Sequence, residues 1–320
     1  MEKNTIFEIM IHEIYLPIVS SQKPGLKDLF GKYGIQFGFA VSAGSFTNMT
    51  TRRLIKQHTN IVTPEVALKM EYTQPKENKW DFSEIDKIMA HAKEMGIDVH
   101  GHTLSWHMQN PEWLVTGTFT IEKLDEILRK HVRELSYRYR NDMVSFDAAN
   151  EAWINPDGSV YGGVWQPLDD EYVNISFNCS LAKTPPMYNS FYPYPEMEYP
   201  KALEMLDKGQ CDGIGIQLHL WDGSYKITLG HTELLLTEIR KRRSWCRFSE
   251  ISVIAANNDD QSQADVYVAI TKLAIKYADV VKGIIVWGVK DPCWRGMGLL
   301  FNKEGNPKPA YYAVINELKK

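Results

Sequence analysis

Two kinds of apolar pattern alternate along this chain. Short β-rich runs occupy 36–41, 60–63, 97–104, 144–150, 187–190, 212–220, 247–253 and 283–289, and they read as strands. Between them, apolar positions recur at helical spacing. The clearest case carries Ile121, Leu124, Ile127, Leu128, Val132 and Leu135 on one face, with Lys123, Glu126, Arg129 and Arg133 off it. That spacing predicts an amphipathic helix. A second helix is expected to begin at Asp81-Phe82-Ser83, with Ser83 as N-cap and Asp86 in the first turn. A third covers 261–278, apolar at Val266, Ala269, Ile270, Leu273 and Tyr277.

Eight strand–helix alternations with no two strands adjacent predict an α/β protein, a single (β/α)8 TIM barrel over residues 25–320. A doubly wound open sheet is the competing architecture. It usually has fewer strands and often a Gly-rich first turn, whereas this chain reads Ala43-Gly44-Ser45 there, without GxGxxG. Nothing resembles a linker, so residues 1–24 form an N-terminal extension to one domain. The apolar run from Ile6 to Val19 is broken by Glu8, His12, Glu13 and Pro17, and fits neither a signal-peptide core nor a membrane span. The poorest stretch is 175–200, where Pro185, Pro186, Pro193, Pro195 and Pro200 crowd two expected helices.

Composition narrows the classes further. With 44% hydrophobic and 24% charged residues, the 320-residue chain is not of the disordered class. Its 36 basic residues are outnumbered by 40 acidic ones and form no block, which disfavours nucleic acid as a partner. No later stretch is apolar enough to span a bilayer. Cys179, Cys211, Cys246 and Cys293 form no CxxC pair, which removes zinc ribbons and dense disulfide frameworks. Buried free thiols are expected, with one or two disulfides as the alternative. Nine Trp and 16 Tyr suit either a packed core or a sugar-binding groove, and composition does not choose.

In a barrel of this kind, function collects at the C-terminal ends of the strands. The second strand ends in Thr63-Pro64-Glu65 with Lys69 behind it, and the third runs into His102, Trp106, His107 and Gln109. The fourth closes on Asn150-Glu151 and the fifth on Asn189. The sixth carries Gln217 and His219, the seventh Glu250, and the eighth Trp287, with Asp291 and Trp294 following. Glu151 and Glu250 stand among apolar neighbours, where a carboxylate is costly unless paired or protonated. An internal ion pair with Lys69 or an arginine is one explanation. Paired carboxylates flanking a glycosidic bond are the other. His102, His107 and His219 allow a three-ligand metal site, but contacts to sugar hydroxyls or to a catalytic carboxylate suit them better.

The segments resemble glycoside hydrolase family 10, the endo-1,4-β-xylanases. The resemblance rests on Thr63-Pro64-Glu65 with Lys69, on Gly101-His102-Thr103-Leu104-Ser105-Trp106-His107, and on Asp147-Ala148-Ala149-Asn150-Glu151. Asp212-Gly213-Ile214-Gly215-Ile216-Gln217-Leu218-His219, Ser249-Glu250-Ile251 and Trp287-Gly288 continue it in order. It implies a monomeric retaining xylanase acting on xylan without metal or cofactor, with Glu151 as general acid/base and Glu250 as nucleophile. It further implies that Asn150 bonds the sugar 2-hydroxyl and that Glu65, Lys69, His102, Trp106 and Gln217 hold the glycone side. His219 would orient Glu250, while Trp287 and Trp294 would cover the sugars. Trp106 and Trp113 also fall at the expected rim; Trp80, Trp153, Trp165, Trp221 and Trp245 are ambiguous. An extracellular location would follow from the resemblance, whereas the absent signal-peptide pattern leaves an intracellular one open.

The chain departs from the family pattern at Val66, Ser190, Ser252 and Phe146, where Asn, Asp, Asp and Trp are usual. The change at Ser252 is expected to leave His219 without an anionic partner. These departures motivate two other readings, a xylan-binding protein with impaired or lost catalysis and a sister β-1,4-glycanase.

Overall fold

The computed structural model describes residues 23–192 and 195–320. Eight parallel strands close into a barrel in sequence order. They are β1 (Gln36–Val41), β2 (Ile61–Pro64), β3 (Asp98–Gly101), β4 (Ser145–Asn150), β5 (Pro186–Ser190), β6 (Gly213–Trp221), β7 (Trp245–Ile254) and β8 (Val281–Val286). The circle closes where Gln36 of β1 aligns with Gly283 of β8. Each of the eight expected runs overlaps one strand, and the expected (β/α)8 barrel is the observed fold. Parallel neighbours demand crossover connections, which the intervening helices supply. Those helices cover the outer face of the strands, so β4 is buried at every residue.

The helix Ile121–Arg138 buries Leu124, Ile127, Leu128, Val132 and Leu135, as its spacing predicts, and the Thr120 side chain caps it by accepting from Lys123 N–H at 3.2 Å. Ile121 is the exception at 56% exposed, because it opens the helix before the apolar stripe meets the barrel. Ser83 is not an N-cap. It is the first residue of the helix Ser83–Met95, and Asp81 Oδ1 accepts its N–H at 2.9 Å. The third helix runs Asp260–Lys276 behind an Asp259 cap.

The proline-rich stretch is accommodated at element ends. Pro186 opens β5 and Pro195 opens the helix Pro195–Asp207, which carries Pro200 inside it. Pro193 lies outside the described residues, as does the extension up to residue 22. All four cysteines are free; Cys293 is half-buried and the other three are buried. No helix among the described residues is long and apolar enough to cross a membrane.

Three irregularities prepare the rim. The strand register shifts between Asp147 and Ala149 on β4, between Ile216 and Gln217 on β6, and between Phe248 and Ile251 on β7. Each sits beside a candidate site residue, where a bulge can re-aim a side chain that regular pleating would direct elsewhere.

Candidate active site

All eleven site residues proposed from sequence line one cleft of about 880 Å³ at the C-terminal mouth of the barrel: Glu65, Lys69, His102, Trp106, Asn150, Glu151, Gln217, His219, Glu250, Trp287 and Trp294.

Glu151 follows the last residue of β4 with φ of 52°, in the left-handed region that L-residues avoid. That backbone costs on the order of 1 kcal/mol and is held by Glu151 N–H donating to Asn189 O at 2.8 Å. Gln217 Nε2 donates to Glu151 Oε1 at 2.7 Å, and Trp106 Nε1 donates to Oε2 at 2.9 Å. Both donors are neutral. Gln217 and Trp106 therefore act on the carboxylate of Glu151 as well as lining the cleft.

Glu250 is buried on β7 between two different donors. Asn189 Nδ2 donates to its Oε1 at 2.9 Å, and His219 Nε2 lies 3.1 Å from Oε2. The other ring nitrogen of His219 lies 2.8 Å from Ser252 Oγ. A neutral hydroxyl thus occupies the place where an anionic partner was missed. Ser190 turns away from the cleft and donates to Glu198 Oε2 at 2.9 Å, whereas Val66 lines the cleft.

An amide chain joins the two glutamates. Gln217 Nε2, besides serving Glu151, donates to Asn150 Oδ1 at 3.2 Å. Asn189 Nδ2 donates to that same Asn150 oxygen at 2.8 Å and to Glu250. Ser249 Oγ donates to Asn189 Oδ1 and fixes its amide orientation.

The two carboxyls are pushed in opposite directions. Burial raises the pKa of Glu151, the negative charge of Glu250 raises it further, and the bonds from Gln217 and Trp106 only partly oppose this. Burial would also raise Glu250, but the hydrogen bond from His219 and the nearness of His102 and Lys69 outweigh it, holding its pKa below the usual glutamate value. Glu65 is raised, chiefly by burial and against the pull of Lys69. Burial lowers Lys69, opposed by Glu250, Glu65 and Glu151. Its Nζ donates to Gln109 Oε1 at 2.6 Å and lies 4.6 Å from the Trp106 ring centre.

Neither catalytic candidate is absorbed into an ion pair with Lys69 or an arginine among the described residues; the sole close pair is Glu250 with His219. Nor are three histidines gathered as metal ligands. His102 Nδ1 faces Asp147 Oδ2 at 2.9 Å, His219 is engaged at both nitrogens, and His107 packs edge-on against Tyr161. Burial holds the His107 pKa down at about 4.

Trp113 does not reach the cleft: it packs near Phe119 and donates to Gln74 O at 3.0 Å. Trp221 does reach it, together with Phe191, Tyr192, Tyr199, His231 and Arg295. The Arg295 guanidinium lies 4.9 Å from the Trp221 ring and 5.2 Å from the Trp294 ring, tying two rim aromatics together. Trp294 is 63% exposed and packs edge-on to His219, whereas Trp287 is only 5% exposed and sits edge-on to His102.

A closed parallel barrel that delivers two glutamates of opposite acid–base character to one aromatic cleft has the make-up of a glycoside hydrolase. The model of glycosyl hydrolase family 10 matches residues 25–317, and the chain belongs to that family. It is similar to endo-1,4-beta-xylanase A of Caldicellulosiruptor sp. (strain Rt8B.4), at 31% identity over 94% of this chain and 48% of that protein. It is also similar to the beta-1,4-xylanase of Dictyoglomus thermophilum, at 29% identity over 91% of this chain and 90% of that one. The chain thus spans about half of the first relative and most of the second. Among solved structures, xylanase 10B from Thermotoga petrophila RKU-1 in complex with xylobiose superposes with a TM-score of 0.85. Its sequence is 26% identical, and the match covers 93% of this chain and 98% of that one.

Proposed function

We propose that the chain hydrolyses internal β-1,4-xylosidic bonds of xylan with retention of anomeric configuration. The observation that carries this reading is the pair of bridged glutamates with opposite shifts, Glu151 pushed toward its protonated form and Glu250 toward its ionised form. In the first step Glu250 attacks the anomeric carbon as Glu151 protonates the departing sugar oxygen, giving a glycosyl–enzyme ester. In the second, Glu151 removes a proton from water, which attacks the same carbon and frees Glu250. Asn150, at the rim beside Glu250, is suited to bond the 2-hydroxyl of the reacting sugar. Trp287 and Trp294 supply ring faces or edges for neighbouring sugars. The names of the relatives support xylan over other glycans.

The test is xylan and xylo-oligosaccharide hydrolysis followed by NMR of the newborn anomeric centre. β-Configured product at early times is expected, and α-product would overturn retention. Glu250→Ala should lose at least about 10⁴-fold in kcat, the scale expected when a nucleophile acting in concert with its partners is removed. Xylo-oligosaccharide binding without any cleavage would favour the binding-only reading that Val66, Ser190 and Ser252 motivate. Faster cleavage of cellulose oligomers than of xylo-oligomers would favour the sister specificity.

A further inference from the structure

We propose that the opposite, N-terminal mouth of the barrel binds a small oxyanion, a carboxylate or phosphate group, through Arg247 on its floor and Arg243 and Lys282 at its rim. This site is separate from the cleft and independent of the reading given above.

A depression of about 380 Å³ opens there, lined among others by Gln36, Ser145, Arg243, Trp245, Arg247 and Lys282. Gln36, Ser145 and Trp245 each open their strands, and Lys282 is the second residue of β8, which places the depression at the mouth the substrate does not use. Arg247 is 3% exposed, yet every partner it has is neutral. Its Nη1 donates to Ser145 Oγ at 2.9 Å, Nη2 lies 3.5 Å from Gln36 Oε1, and buried Nε has no partner. Ser145 belongs to β4 and Arg247 to β7, so this bond crosses the barrel interior.

No carboxylate among the described residues comes within ion-pair distance of this guanidinium. Two acids, Asp98 and Asp147, lie near enough to favour its charge but make no ion pair with it, and each is hydrogen-bonded elsewhere. Asp98 accepts from Gln36 Nε2 at 2.9 Å, and Asp147 is shared by His100 and His102. Burial draws the pKa of Arg247 down only to about 10, so the group is a cation at neutral pH. A buried, unpaired cation is strongly disfavoured, and the planar guanidinium fork is suited to carboxylate and phosphate oxygens.

The rim adds to the same charge. Arg243 is exposed and holds φ of 55° just beyond the helix Tyr225–Lys241, a position that favours glycine, yet the chain places an arginine there. Lys282 is exposed on β8. The acid at this rim, Asp279, has both carboxyl oxygens hydrogen-bonded by Arg240; it lies near Lys282 but forms no ion pair with Lys282, Arg243 or Arg247. Half-buried Trp245 provides an apolar wall, which a sugar acid can use and an inorganic ion does not need.

The test titrates the full chain with phosphate, sulfate and glucuronate, with xylose as the uncharged control and ionic strength held constant with sodium chloride. Binding is read by calorimetry and by the thermal midpoint, which rises when a ligand binds only the folded state. Saturable binding of at least one anion is expected, and any binding of xylose, which the cleft can hold, should be unaffected by the double variant below. Glucuronate alone would identify an acidic sugar as the ligand, and all three anions a general oxyanion site. The double variant Arg243→Ala/Lys282→Ala changes only exposed side chains. It should weaken binding roughly ten-fold while leaving xylan hydrolysis unchanged. Arg247→Met should abolish binding; removal of a buried group can disturb the barrel, so the exposed double variant carries the test. Absence of saturable binding for all three anions, or affinity unchanged in the double variant, would overturn the proposal.

Discussion

Ser252 Oγ stands 2.8 Å from Nδ1 of His219, and the opposite nitrogen of that ring faces Glu250 Oε2. The two residues are aligned across β6 and β7. A hydroxyl can donate to Nδ1, so a single ring proton on Nε2 is enough to serve Glu250. An aspartate in the same place could only accept, and would draw a proton onto both nitrogens.

Ser252→Asp should therefore favour an imidazolium beside Glu250 and hold its carboxylate ionised in more acidic solution. The acid limb of kcat/KM should move to lower pH. Ser252→Ala, which leaves Nδ1 without its partner, should lower kcat/KM roughly ten-fold with the fold retained, on the scale of a lost buried hydrogen bond. An acid limb that does not move in Ser252→Asp would remove Ser252 from the proposed chain of contacts.

The opposite shifts of the two glutamates set the pH profile of the unmodified chain. In the proposed mechanism activity requires Glu250 ionised, with its pKa below the usual glutamate value, and Glu151 protonated, with its pKa above it. A bell-shaped kcat/KM with limbs on either side of that value is expected. The stability contributions have opposite signs. That of Glu250, whose native pKa is depressed, is complete above the ordinary carboxylate range and lost as pH falls through the native value. That of Glu151, whose native pKa is raised, is complete below that range and lost as pH rises through its native value. Urea unfolding of Glu250→Gln and Glu151→Gln across pH checks both signs.

Trp106→Phe removes the indole N–H that donates to Glu151 and keeps an aromatic ring. Because that bond favours the ionised carboxylate, its loss should raise the Glu151 pKa, moving the alkaline limb upward by roughly half a unit to one unit. A downward movement in the measured profile would contradict the assignment of Glu151 as the acid.

Gly215 of β6 lies against the side chain of Asn189. A Cβ built on it would stand 2.2 Å from Asn189 Oδ1 and 2.8 Å from Cγ. Asn189 is bonded to Asn150, Glu250 and Ser249 and cannot step aside without releasing them. Gly215→Ala should cost about 1–3 kcal/mol in unfolding free energy, as overpacking does, and should lower kcat far more than KM. Denaturant titration and steady-state kinetics on one preparation separate the two effects.

The barrel was legible because each strand run is bounded by helical spacing. Its boundaries were less so. The run at 97–104 was too long, since β3 ends at Gly101 and Leu104 N–H instead reaches over to Asp147 O at 2.9 Å. Ser83 looked like a cap because local sequence does not say that Asp81, two residues earlier, accepts its N–H. At the site, all eleven proposed residues line the cleft, whereas His107, Asn189 and Asp291, read from the same strand ends and loops, do not. Of those missed, Trp221 and Arg295 come from the same strand ends and loops, and others from a helix. Thr228, His231 and Thr232 line the cleft from the helix Tyr225–Lys241 at a spacing that looks the same whether a helix faces a core or a cleft. Tyr192 and Tyr199 lie within the proline-crowded segment, where no helix boundary can be read. Trp113 was expected at the rim, but the short helix Glu112–Val115 turns it toward Gln74.

The amide chain from Glu151 through Gln217, Asn150 and Asn189 to Glu250 also governs how errors combine. Because one oxygen of Asn150 receives both amides, a shift at either glutamate is passed to the other as a change of position. The proposed acid and nucleophile are thus a single mechanical part. Substitutions at Gln217 and Asn189, though each touches a different glutamate, should be strongly non-additive: once the first has broken the chain, the second has little left to lose.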